Sequence, residues 1–286
     1  MQHVPLDIRV RPATSQAAVL LLHGGRADAL EPPTRWNLPA RRLGLLARAL
    51  GRAAPVPSLV IAAARYRHRG WNGGRADPAA DARAALRALA EACGPLPVVL
   101  VGHSMGARAA LRVADAPHIA GVVGLAPWCP PGEPVTQLAG RTVVLVHGDR
   151  DRVTDPRQTW AFAARARAAG SAACGVVVPG GDHAMVRSAT DWHRITAAAV
   201  RGLLDPARMP APLAAALTTG PDSGPVGGPH GDTDSDPDGG AGVRPGRTGT
   251  RHPLPLPLSQ VLGRGATWRR VRDGGGWRAG TPGSSR

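Results

Sequence analysis

Short apolar runs alternate with stretches of helical periodicity along the first two thirds of the chain. Runs with the length of buried strands occur at 6–10, 16–22, 57–64, 97–101, 119–125, 142–146 and 174–178. Between them, helix-forming segments cover 34–50, 77–94, 107–114, 156–169 and 191–204. This alternation predicts an α/β domain over residues 1–205, with a mostly parallel central sheet of about seven strands and helices on both faces.

The pattern stops after Asp205. The chain has 29 Pro and 37 Gly, and this bias is concentrated in residues 206–286, which are also rich in Arg. Such a composition lacks the apolar side chains that a core requires, so we expect 206–286 to be a disordered tail. Within it, residues 252–258 alternate Pro and Leu, a pattern typical of polyproline II.

Charge and cysteine content indicate which partners and which cellular compartment to expect. The formal net charge is +15, and every basic residue other than His is Arg. Because the surplus is spread along the chain, it indicates a solvated surface, and we expect no nucleic-acid partner. Cys93, Cys129 and Cys174 lack metal-site spacing, which favours reduced thiols in the cytoplasm. We see neither a signal peptide nor an apolar stretch long enough to span a membrane, so no membrane partner is expected; the oligomeric state is left open.

The segment Gly102-His103-Ser104-Met105-Gly106 follows a β-branched run and precedes a helix. In this context G-x-S-x-G predicts a sharp strand-to-helix turn that exposes a nucleophilic serine at the edge of the sheet. Strand and helix backbones pass close together at such a turn, so Gly102 and Gly106 are expected where a Cβ would collide. The helix N-terminus also directs free N–H groups toward Ser104.

Three further strand ends carry polar residues. His23-Gly24-Gly25 follows the second strand, Asp151 follows the sixth, and His183 follows the seventh. In a parallel sheet the carboxyl ends of the strands meet at one edge, so these groups and Ser104 are expected to form a single site. Their order, Ser then Asp then His, is the order of a hydrolytic triad on such a sheet.

With these motifs the chain resembles an α/β-hydrolase, and the resemblance covers residues 5–205. It is similar to the small, lidless members of the dienelactone hydrolase and carboxylesterase type, because the segment between Leu125 and Arg141 is too short for a separate cap domain. Ser104 stands in place of the Cys nucleophile of dienelactone hydrolases, which argues against that reaction. The resemblance implies hydrolysis of an ester, thioester, amide or related bond through an acyl-enzyme.

The chemistry of the triad defines the expected roles. His183 would take the proton of Ser104 and return it to the leaving group, while Asp151 would fix the imidazole tautomer. The N–H groups of Met105 and Gly25 would hold the oxyanion.

Several alternatives stay open from the residues alone. Asp149 or Asp182 could replace Asp151 as the acid, although both are better suited to shaping turns. His23, His103 and His147 are more typical of structural hydrogen-bonding residues. The N–H of Arg26 could replace that of Gly25.

Four residues are candidates for a substrate pocket: Arg26, Arg67, Arg69 and Trp128. The arginines could favour substrates with a remote carboxylate or phosphate, or could simply face solvent. Trp128 could line an acyl pocket or serve in packing.

Taken together, the sequence predicts a serine hydrolase that acts on a small-molecule acyl substrate and needs neither a cofactor nor a metal. An acyltransferase would use the same triad, and a ligand-binding protein with an idle triad would keep the same fold.

Overall fold

The structure, a computed structural model, describes residues 4–34, 36–53, 58–218 and 255–263, and the backbone of two short strands beyond them. Its main sheet has eight strands. These are β1 (Leu6–Val10), β2 (Ala17–Leu22), β3 (Leu59–Ala64), β4 (Val98–His103), β5 (Ile119–Leu125), β6 (Thr142–Gly148), β7 (Ala172–Val178) and β8 (Leu256–Pro257). Their order is β1-β3-β2-β4-β5-β6-β7-β8, and every neighbouring pair is parallel except β1 with β3. The predicted fold class is therefore confirmed.

Helices cover both faces of this sheet and create two cores. The helices are α1 (Leu38–Ala53), α2 (Asp77–Cys93), α3 (Met105–Arg112), α4 (Pro156–Ala168), α5 (Ala189–Leu204), α6 (Ala211–Thr218) and α7 (Leu258–Leu262). One core joins the sheet to α2, α3 and α4, and the other joins it to α1, α5, α6 and α7. Strand β2 contributes Leu20 and Leu22 to the first core and Val19 and Leu21 to the second, which explains its continuous apolar sequence.

The structure contradicts the predicted disorder of residues 206–286 in several segments. Residues 206–218 continue from α5 through a short 3₁₀ turn into α6, whose Leu213 is fully buried. Residues 255–263 return to the sheet, where β8 pairs with β7 and α7 buries Leu258 and Val261. These few apolar side chains supply the buried surface that composition alone does not reveal. A second sheet pairs β9 (Trp268–Arg270) with β10 (Trp277–Ala279), and the remaining tail lies outside the described residues.

The carboxyl edge of the sheet is not covered by an inserted domain between β5 and β6. Residues 126–141 form a loop with a single 3₁₀ turn at Thr136–Leu138. Within the part of the chain that the structure describes, no helix is long and apolar enough to cross a membrane.

Candidate active site

Ser104 lies on a strained turn between β4 and α3. Its backbone has φ 55° and ψ −119°, a region that residues other than glycine rarely adopt. The two flanking glycines make this turn possible. A Cβ on Gly102 would lie 2.4 Å from the Gly106 carbonyl oxygen, and a Cβ on Gly106 would lie 2.1 Å from that of Leu22. The predicted steric need for both glycines is confirmed.

Three strand ends bring Ser104, His183 and Asp151 into a hydrogen-bonded row. Ser104 Oγ lies 3.1 Å from Nε2 of His183. On the other side of the ring, Nδ1 of His183 donates to Oδ2 of Asp151 at 2.8 Å. The side chain of Asp151 is fully buried, whereas that of His183 is 15% exposed. This geometry permits a proton to pass from the serine to the imidazole while the carboxylate orients the ring.

Asp151 is held as a carboxylate by several donors. Its Oδ1 accepts the N–H groups of Val153 at 2.7 Å and Thr154 at 3.0 Å. Its Oδ2 accepts the Thr154 hydroxyl at 2.9 Å and Nε2 of His147 at 3.0 Å. Burial raises the pKa of Asp151, but the hydrogen bonds from His147, His183 and the two backbone groups outweigh it, and the net pKa lies well below its usual range.

The sequence analysis did not assign a role to Thr154, and it assigned only a structural role to His147. The Thr154 hydroxyl also lies 3.1 Å from Nδ1 of His183, so it contacts two members of the row. His147 is fully buried, and its Nδ1 lies 2.8 Å from the hydroxyl of Thr159. The Asp-x-x-Thr spacing was the available signal for Thr154, since Asp side chains often bind backbone and hydroxyl donors two or three residues onward.

The other two strand-end histidines are engaged away from the serine hydroxyl. Nδ1 of His23 donates to the Gly24 carbonyl at 2.8 Å, and burial lowers its pKa. Nε2 of His103 donates to the carbonyl of His183 at 2.8 Å. Burial, aided by the nearby His183, lowers the pKa of His103 to about 3, so His103 remains neutral near pH 7.

The loop after β2 and the start of α3 both approach Ser104. Within the described residues, the N–H groups of Gly25 and Met105 donate to no protein acceptor, whereas the N–H of Arg26 donates to the Arg69 carbonyl at 2.9 Å. The alternative in which Arg26 supplies an oxyanion donor is thus disfavoured. A Cβ on Gly25 would lie 2.2 Å from the Arg69 carbonyl oxygen, so this loop position requires glycine.

The two rival acids serve loop structure. Asp149 accepts the Gly180 N–H at 2.7 Å and thereby joins the β6 and β7 loops. Asp182 accepts the N–H of Val186 at 3.0 Å. Asp151 is the carboxylate that lies within hydrogen-bond distance of His183.

The arginines expected near the substrate differ in their surroundings. Nε of Arg67 donates to Asp81 at 2.6 Å, and the guanidinium also lies 4.0 Å from Asp77. Two buried carboxylates thus compensate its charge, which favours a structural role for Arg67 over a role in substrate binding. Arg26 is exposed and Arg69 is half-buried, and both follow strand ends on the catalytic side.

Trp128 lies beside the nucleophile but is also part of a packed cluster. The backbone N–H of Trp128 donates to the Ser104 carbonyl at 3.3 Å. The guanidinium of Arg108 lies 4.5 Å from the Trp128 ring and 4.0 Å from the ring of Trp71, and Arg108 also pairs with the buried Glu133. Cys129, next in sequence, is buried, and this burial raises the pKa of its thiol, so it is a packing residue.

Comparison with known proteins agrees with the fold. Residues 66–201 match a protein family described as alpha/beta hydrolase domain. A search of curated proteins finds no match.

Solved structures share the fold at low sequence identity. An alpha-beta serine hydrolase homologue from Coxiella burnetii is 21% identical, with a TM-score of 0.51 over 67% of this chain and 89% of that one. A putative alpha/beta hydrolase from Agrobacterium tumefaciens is 16% identical, with a TM-score of 0.55 over 72% and 94%. A thermophilic esterase from Thermogutta terrifontis, with propionate bound, is 20% identical, with a TM-score of 0.51 over 70% and 88%. Residues 66–201 thus resemble an alpha/beta hydrolase domain, and the solved structures share the fold of this chain.

Proposed function

We propose that the protein is a serine hydrolase that cleaves an ester or related acyl bond of a small molecule through an acyl-enzyme. The observation that carries this proposal is the hydrogen-bonded row from Ser104 through His183 to Asp151, with contacts of 3.1 Å and 2.8 Å. The three residues come from three separate strand ends, and Asp151 is buried and ionised, as an orienting acid must be.

In the proposed reaction, Ser104 Oγ attacks the substrate carbonyl while Nε2 of His183 accepts the hydroxyl proton. The oxyanion is stabilised by the N–H groups of Gly25 and Met105, which have no protein acceptor among the described residues. His183 then donates its proton to the leaving group, which departs as an alcohol. Water, activated by the same imidazole, releases the acyl group as a carboxylic acid and restores the serine.

A fluorophosphonate probe tests the nucleophile directly. Wild-type protein is expected to be labelled once, at Ser104, and Ser104→Ala is expected to remain unlabelled. Asp149→Asn is a matched control, because Asp149 lies in the neighbouring loop but outside the hydrogen-bonded row. Folded wild-type protein that resists labelling would favour the ligand-binding alternative. A panel of p-nitrophenyl esters of increasing acyl length then defines the substrate.

A further inference from the structure

A cavity of about 150 Å³ lies on the side of the sheet covered by α1 and α5. It is lined chiefly by Leu45, Leu46, Leu125, Met185 and Trp192, with Arg42 among the lining residues. Met185 follows His183 by two positions, so the cavity adjoins the proposed active site without including its hydrogen-bonded row. The reaction proposed above does not use this cavity.

The apolar lining residues and the volume of the cavity indicate the size of the hydrocarbon group that it can hold. Leu46 and Leu125 are almost fully buried, whereas Leu45 is 54% exposed and lies where the cavity meets solvent. A cavity of roughly this volume with aliphatic and aromatic walls is known to hold benzene. The hydrocarbon group that fits is therefore about six carbons in size.

Arg42 and His193 are the titratable residues among those that line the cavity. Arg42 is half-buried, and within the described part of the chain its guanidinium forms neither an ion pair nor a hydrogen bond. A half-buried guanidinium without a counter-ion favours an anion.

We propose that this cavity binds a small monocarboxylate, with a hydrocarbon group of about six carbons against the leucines and the carboxylate on Arg42. A carboxylate of this kind could be the acid released by the proposed hydrolysis or an unrelated metabolite. The inference rests on the cavity and on Arg42 in its wall, and it does not depend on the proposed catalytic function.

Isothermal titration calorimetry of the full-length Ser104→Ala protein tests the binding. Acetate, butanoate, hexanoate and octanoate serve as probes, and the Kd should fall about fourfold per added methylene up to hexanoate, then level off as the cavity fills. Arg42→Gln should weaken hexanoate about tenfold but leave 1-hexanol unchanged. Arg48→Gln is the matched control, because Arg48 is exposed on the same helix and does not line the cavity.

Filling the cavity provides an independent variant. Ala189 lines it at the start of α5, and Ala189→Leu should abolish hexanoate binding while the melting temperature stays near that of the parent. Absence of hexanoate binding, equal affinity in Arg42→Gln, or undiminished affinity in folded Ala189→Leu would overturn the proposal.

Inhibition of wild-type ester hydrolysis separates the two sources of the ligand. Hexanoate that competes with a hexanoyl ester would be a product occupying its own subsite, whereas noncompetitive inhibition would indicate a separate effector. Since the binding assay uses Ser104→Ala, a failure of the proposed hydrolase activity would leave its result intact.

Discussion

Nε2 of His147 lies 3.0 Å from Oδ2 of Asp151, the same oxygen that accepts Nδ1 of His183. One carboxylate oxygen therefore serves two imidazoles, one facing the serine and one facing the protein interior. His147 is itself oriented by Thr159 at 2.8 Å, so the acid is anchored from a fully buried side. Such an anchor restricts rotation of the Asp151 side chain and thereby the orientation of His183.

Removing this anchor should reduce turnover without changing substrate affinity. A hydrogen bond to a charged group contributes about 1.5–3 kcal/mol, so His147→Phe should lower kcat about tenfold or more and leave KM nearly unchanged. His147→Gln, which retains a donor, should recover part of the loss. Steady-state kinetics together with melting temperatures test this, and an unaltered kcat in folded His147→Phe would show that the contact is merely structural.

The three residues of the row should act as a unit. Ser104→Ala and His183→Ala should each reduce kcat about as much as the double variant does, because neither remaining group works alone. Asp151→Asn should cost somewhat less, and Asp149→Asn should be mild. A severe effect of Asp149→Asn with a mild effect of Asp151→Asn would reverse the choice of acid.

The turn at Ser104 should tolerate no side chain on its flanking glycines. Gly106→Ala would place a Cβ 2.1 Å from the backbone oxygen of Leu22, which requires the strand and helix to move apart. We expect little soluble protein or a large loss of stability, more than about 4 kcal/mol. Gly74→Ala is the control, because a Cβ there meets no atom within 4 Å. Equal melting temperatures for the two variants would contradict the close approach.

Arg67 should matter for stability rather than for substrate choice. Arg67→Ala leaves the buried Asp81 without its side-chain partner, at a cost of about 1–3 kcal/mol. The preference for an ester with a remote carboxylate over its neutral analogue should be unchanged, whereas Arg26→Ala or Arg69→Ala would reduce any such preference. Urea denaturation and the ratio of kcat/KM values measure the two effects. A lost preference in Arg67→Ala would return it to the substrate site.

The sequence predicted the sheet well because buried parallel strands have a strong signal. Residues 6–10 and 119–125 match β1 and β5 at both ends, since each is an apolar or alternating run with clear breaks. Motif spacing also identified Ser104, Asp151 and His183, whose proximity follows from the topology of a parallel sheet.

Contacts that depend on side-chain geometry could not be read from the pattern. Nothing in spacing shows that Arg67 turns toward Asp81 or that His147 reaches Asp151. Strand β8 was missed for a different reason: Leu256-Pro257 resembles polyproline II, and proline within a strand is tolerated only at an edge, where its missing N–H faces away from the ladder.

The edge strand changes what truncation of the tail should do. A chain that ends at Thr218 would lose β8 and α7, expose the outer edge of β7 and remove Leu258 and Val261, each of which is 6% exposed. Complete burial of such side chains contributes about 1.5–3 kcal/mol each, so the loss should amount to several kcal/mol. A chain that ends at Gly263 keeps both elements and should retain the melting temperature of the full-length protein.

Leu258→Ala with Val261→Ala in the full chain is the matched variant, and it should reproduce most of the destabilisation without removing the strand. Thermal denaturation of the four proteins distinguishes the possibilities, and equal melting temperatures for the chains ending at Thr218 and Gly263 would show that residues 255–263 contribute nothing to the stability of the domain.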